Sequence, residues 1–113
     1  MANKSKLTDA PPAAVEDALK RLGSHIRTAR VRRRLRIEDV AEKMGTSRFT
    51  VADVEKGKAG TSAAAYLGAL WALGLIDQVR DLADPDRDEE GKTLESVRHP
   101  KQAPRRRTLD NDF

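Results

Sequence analysis

An all-α bundle of five short helices is the fold class the sequence predicts, and three observations carry that prediction. Apolar residues recur at three- and four-residue steps through most of the first 83 positions. Glycines and hydroxyl side chains punctuate those runs where helix caps belong. No segment alternates apolar and polar residues well enough to form a strand. At 113 residues the chain has room for one domain. Only 38% of its residues are hydrophobic and 35% are charged, so the expected core is small and part of the chain lies outside it.

Residues 1–12 lack apolar periodicity and end in Pro11-Pro12, which reads as a loose arm. From there Val15, Ala18/Leu19, Leu22, Ile26 and Ala29 form one apolar stripe of a helix over about 13–33, with Lys20, Arg21, Arg27 and Arg32-Arg33-Arg34 on its basic side. A second helix spans 37–44, with Ile37, Val40, Ala41 and Met44 on one side and Glu38 and Asp39 in the first turn, where carboxylates favour the positive helix end. Gly45 stops it in the manner of a C-terminal cap. Ser47 then caps a third helix over 48–56, which buries Val51 and Val54 and closes on Gly57. Thr61 or Ser62 caps a fourth, through about residue 73, with Tyr66, Leu67, Leu70, Trp71 and Leu73 as its apolar surface. After Gly74, the residues Leu75, Ile76, Val79 and Leu82 predict a short fifth helix ending before Pro85. The domain is thus expected over 13–83. Residues 84–113 are charged and proline-containing, with too little apolar surface to offset the entropy of ordering, and are expected to be flexible or disordered.

Charge is unevenly spread. The chain carries a net +4, and from Val15 to Gly60 there are 12 Lys/Arg against 7 Asp/Glu, while the tail from Asp84 has 7 against 8. The positive surplus sits in the folded half, which suits a polyanionic partner or, equally, a solvated helix face. Several chemistries are excluded. There is no cysteine, hence no disulfide, thiolate metal site or thiol nucleophile. His25 and His99 stand apart, without ligands at metal-binding spacing. No nucleophile–base pair or phosphate-binding glycine loop is present, so neither an enzyme nor a cofactor is expected. No apolar run approaches the roughly 20 residues that span a bilayer, and the first nine residues lack a secretory apolar region. A soluble cytoplasmic protein with no membrane partner is expected.

The stretch IEDVAEKMGTSRFTVADVEKG is a short helix, a turn containing glycine, and a second short helix, the layout of a helix-turn-helix. Ala41 is small where the helices cross, Gly45 suits a left-handed turn residue, and Val40, Met44, Val51 and Val54 supply an apolar seam. A second helix held this way protrudes far enough to enter the major groove.

The run from Leu22 to Leu75 resembles the lambda-repressor-like, or XRE-type, regulators. Gly45 and Ser47 match the family's turn, and Glu55 and Gly57 match the end of its reading helix. The resemblance implies five helices, the second and third forming the reading unit on double-stranded DNA. It also implies an Arg30–Glu55 ion pair, with Arg30 approaching a phosphate. The family's base-reading positions fall on Ser47, Arg48, Phe49, Ala52 and Asp53. Arg48 suits guanine, which a guanidinium bonds in bidentate fashion, and Phe49 suits a thymine methyl unless it is core. Ser47 can cap the helix, contact phosphate, or both. Asp53 departs from the family: it can accept from cytosine, or orient Arg48 or a neighbouring lysine. Ile37 departs too, standing where many members have glutamine, though its backbone N–H can still serve a phosphate. Further phosphate contacts are expected from Arg36, Lys56, Lys58 and Thr61 or Ser62.

The passage AAAYLGALWALGLIDQVRDLADPDRDEEG resembles HipB-like antitoxins, regulators encoded beside HipA-like serine/threonine kinases. That likeness implies a bacterial homodimer that represses its own operon and binds the kinase toxin. The tail, with Leu94, Val97, Pro100, Pro104, Leu109 and Phe113, suits a segment that orders on a partner. One reading helix buries too little surface for strong specificity, and dimers of this motif read half-sites about 34–36 Å apart. Trp71, Leu75, Ile76 and Val79 are the expected dimer interface, Trp71 being core or interface. The competing reading is a protein-interaction or adaptor module of the same fold, favoured by Asp53 and Ile37 on the expected DNA face.

Overall fold

Caps set the helices before packing does. In the computed structural model, which describes residues 5–98, α1 (Lys6–Asp9) is a single turn whose first N–H groups are met by Ser5. After Pro11-Pro12, α2 (Ala13–Arg32) runs to a turn in which Arg34 takes the left-handed conformation and Leu35 N–H donates to the Arg30 carbonyl. In α3 (Ile37–Met44) the Asp39 carboxylate accepts from the Arg36 backbone N–H at 2.8 Å. This is the returning half of a capping box, since arginine has no acceptor to supply the other half. Gly45, at φ 77°, ends α3. The Ser47 hydroxyl accepts from Thr50 N–H to start α4 (Arg48–Glu55), and Ser62 does the same for α5 (Ala63–Ala72) through Ala65 N–H.

The core is built around α4, which packs against α2, α3 and α5. Ile26, Val40, Val51 and Val54 are fully buried, and Ala41, Ala65, Tyr66, Ala69, Leu70, Ala72 and Leu73 complete it. Each valine so buried contributes roughly 1.5–3 kcal/mol. The Tyr66 hydroxyl donates to the Lys58 carbonyl at 2.8 Å, fastening the loop after α4 to α5. Burial raises the Tyr66 pKa, with the Asp53 carboxylate adding to it.

Two glycines let α2 and the end of α4 meet backbone to backbone. A Cβ on Gly23 would stand 2.5 Å from the Val54 carbonyl oxygen and 2.8 Å from the Gly57 nitrogen. A Cβ on Gly57 would stand 2.6 Å from the Leu19 carbonyl oxygen, and Gly57 also has φ 70°. Two turns further along α2, Arg30 grips the same helix end. Its Nε and Nη2 donate to the two Glu55 oxygens at 2.6 and 3.1 Å, and its Nη1 donates to the Leu35 carbonyl at 2.9 Å. The side chains of this pair are only 11% and 7% exposed. The hydrogen bond to Glu55 holds the guanidinium above its ordinary pKa despite the burial.

The expected all-helical class and the first four helices stand as read. The expected fifth helix forms only as a short 3-10 helix, Ile76–Val79, after which Leu82 and Asp84 continue with i→i+3 bonds to Val79 and Asp81. Leu75, Ile76 and Val79 are only half-buried and Leu82 is 72% exposed, so packing does not enforce an α-helical stripe. The start of the expected flexible tail is ordered, as a 3-10 turn at Pro85–Arg87 and α6 (Glu89–Arg98). Local signals account for α6. Asp88 accepts from Gly91 N–H at 2.9 Å, Glu89 and Glu90 sit at its positive end, and Arg98 sits at its negative end. The arm expected over 1–12 contains α1. The described chain divides into two compact units after Gln78. Residues 99–113, with His99, Pro100, Pro104, Leu109, Phe113 and the Arg105–Arg107 run, lie outside the described residues, as do 1–4.

Gly23→Ala is expected to destabilise the fold by about 1–3 kcal/mol in urea unfolding, although alanine is the better helix former, because the backbones it would meet must separate. Gly68→Ala is the matched control. Its Cβ would meet only the tip of Met44 at 3.1 Å, and stability is expected to hold or rise. Glu55→Ala is expected to cost about 3 kcal/mol by leaving Arg30 buried without its carboxylate, and Arg30→Met with Glu55→Leu to recover most of the loss. A double variant no more stable than Glu55→Ala would show that packing alone cannot replace the pair.

Candidate nucleic-acid interface

The outer face of α4 holds what its inner face does not need. With Val51 and Val54 turned into the core, Arg48 and Phe49 project outward, Phe49 being 68% exposed, so the core reading of this aromatic fails. Ala52 and Asp53 are half-buried on the flank, and Ser47 caps the helix at the exposed tip. Arg36 and Ile37 open α3 beside it. The Ile37 backbone N–H is one of those a helix start leaves without an intrahelical partner. An open groove of about 490 Å3 runs between the start of α3 and the outer face of α4, lined by Leu35, Arg36, Ile37, Arg48, Phe49 and Ala52 among others. Lys56 and Lys58 follow α4 as exposed cations, and Thr61 is half-buried in the loop before α5.

Most cations on this face are held by a carboxylate. Arg48 Nη1 lies 3.4 Å from Glu38 on α3, and its guanidinium sits over the Phe49 ring at 5.2 Å from the centroid. Arg36 bonds Asp39 at 3.1 Å, and Lys58 pairs with Asp53 at 3.2 Å. The Arg36 hydrogen bond, side chain first and then backbone, holds Asp39 below the usual carboxylate range, and Asp39 in turn raises Arg36. Glu38 is lowered mainly by its own backbone N–H and then by Arg48. All three pairs are open to solvent, so each adds little to stability and can be exchanged for another anion. Of the expected roles for Asp53, the arrangement matches orientation of a neighbouring lysine.

Of the expected phosphate contacts, Arg30 also lines this groove, at its inner wall. Its three nitrogens donate to Glu55 and Leu35, so it also holds the helices together. Trp71, expected as core or interface, is 52% exposed, with Lys43 Nζ 5.4 Å from its ring centroid; Leu67, one turn earlier on α5, is 41% exposed. Leu75, Ile76 and Val79 are half-buried. Sequence reasoning missed Glu38 as the partner of Arg48, a contact ten residues apart that no local spacing announces. It also missed the Arg36–Asp39 bond, which the three-residue spacing of a capping box could have indicated.

Among the described residues no group of His, Asp and Glu could hold a metal ion, and no helix is long and apolar enough to cross a membrane. No curated protein and no solved structure matches the chain. The family model of the helix-turn-helix domain matches residues 21–83, more than half of the chain and all of the α3–turn–α4 unit. The chain belongs to the helix-turn-helix domain family, as a DNA-binding regulator of the broad XRE type.

Proposed function

We propose that the protein is a sequence-specific transcriptional repressor that binds its operator as a homodimer. The observation that carries this reading is Arg48, exposed in the first turn of a helix whose back is locked into the core, where a guanidinium can meet guanine O6 and N7. Phe49 supplies an apolar contact for a thymine methyl, while Ser47, Ala52 and Asp53 complete the reading face. Arg36, Lys56, Lys58, Thr61 and the Ile37 backbone N–H set the helix against phosphates, with Arg30 at the inner wall of the same groove. The exposed Trp71 and Leu67 stripe on α5, extended toward Leu75, Ile76 and Val79, is the surface for the two-fold contact. On the likeness of the α5-to-tail passage, the finer reading is a bacterial cytoplasmic antitoxin. It would repress its own promoter and bind a HipA-like kinase, with Leu94 and Val97 exposed on α6 for that partner.

A second reading, an adaptor of the same fold without specific DNA binding, is favoured by one observation: Glu38, Asp39 and Asp53 neutralise cations across the same face. Fluorescence anisotropy with the protein's own upstream promoter DNA and a scrambled duplex, at two salt concentrations, separates the two. Promoter preference that Arg48→Ala lowers by roughly 10- to 100-fold is expected, with binding that falls steeply as salt rises. Glu38→Gln, which releases Arg48, is expected to tighten binding to both duplexes and narrow the preference between them. Equal, weak binding that ignores Arg48 would leave the adaptor as the better account. Sedimentation is expected to give a dimer for the native chain and a monomer for Trp71→Arg, and a native monomer would remove the two-fold arrangement.

A further inference from the structure

The side of α2 remote from the reading helix carries a second concentration of charge. Gly23, Ile26 and Arg30 face α4, and His25, Thr28 and Arg32 each stand two residues later, roughly 200° around the helix. These three, with Arg33 at the end of α2 and Leu75 and Gln78 after α5, line an open cavity of about 360 Å3. Its polar side chains are an imidazole, a hydroxyl, two guanidinium groups and an amide: rich in donors, with no carboxylate among the lining residues. Arg33 Nη1 donates to the Ala29 carbonyl at 2.9 Å, which fixes that guanidinium at the cavity. Arg32 has no carboxylate partner among the described residues. The contrast with the α4 face is direct, for there Arg36, Arg48 and Lys58 are each held by an acid. Leu75 and Ala29 add an apolar wall.

We propose that this cavity binds a small organic phosphate monoester, the phosphate held by Arg32, Arg33 and the donors of His25, Thr28 and Gln78, and the organic group lying against Leu75. The volume lies at the lower end of the range for small-molecule sites, about 300–1,000 Å3. A guanidinium pair is the side-chain chemistry best matched to a phosphate dianion. Because the cavity and Arg48 are on different faces, the ligand and a duplex bind the protein independently of the same residues. The assignment does not depend on the protein being a repressor.

The test is titration of the full chain with phenyl phosphate at constant ionic strength, followed by amide 1H–15N spectra, with phenol as the uncharged counterpart. Saturable shifts confined to the neighbourhood of His25, Thr28, Arg32, Arg33 and Gln78 are expected, and none with phenol. Arg32→Ala, which breaks no described hydrogen bond, is expected to weaken binding at least about tenfold, and Arg32→Ala with Arg33→Ala to abolish it. Arg27→Ala, elsewhere on α2, and Arg48→Ala are expected to change it less than twofold. Shifts that never saturate, that spread to the Arg36, Arg48 and Lys56 amides, or that survive the double variant would overturn the assignment. A scrambled duplex that moves the same peaks and displaces phenyl phosphate would give the cavity to the DNA backbone and overturn it equally.

Discussion

The backbone contact between α2 and the end of α4, made through Gly23 and Gly57, is the constraint on which the remaining geometry depends. A Cβ at either position would stand 2.5–2.8 Å from the facing backbone, closer than packed atoms approach, so the helices would have to separate. At the observed separation Arg30 can reach both oxygens of Glu55 and still meet the Leu35 carbonyl. Val51 and Val54 can then lose all contact with solvent. Each of these interactions acts on one helix of two turns, too short to be stable by itself. Tertiary fastening therefore determines both whether α4 forms and the direction in which Arg48 projects.

Electrostatics divides the molecule differently from its net charge. The surplus of positive residues is carried largely by α2 and its following turn, while the α3–α4 face is close to neutral through local pairing. Exposed pairs of this kind add little to stability. They keep long side chains near defined positions and lower the general pull of the face on polyanions. A face built this way relies on fit more than on attraction, whereas the bare cations of α2 act at longer range.

What could be read from the sequence was whatever depends on near neighbours. Gly45, Ser47 and Gly57 announced the ends of α3 and α4, and the spacing of Val40, Val51 and Val54 announced their seam. Gly23 gave no such sign, because a glycine inside a helix looks like a weakness until the backbone it touches is known. The pairing of Arg48 with Glu38 was hidden for the same reason, since it spans the turn. The tail was judged by its lack of apolar residues. That criterion missed α6, whose Asp88 cap and ordered end charges were present in the sequence. The segment after Gly74 failed in the opposite direction: its apolar residues matched a helical period, but the core they would need is absent around Leu82.

The buried fastenings of α4 lie on its inner face or at its ends, in Val51, Val54 and Glu55, with the Ser47 cap at its start. The outward positions, Arg48, Phe49 and the flank at Ala52 and Asp53, carry almost none of the folding energy. Substitution there leaves the scaffold standing, so the chemistry of that face can drift residue by residue without passing through unfolded intermediates. Duplicated copies of this gene could diverge to separate targets while keeping one architecture.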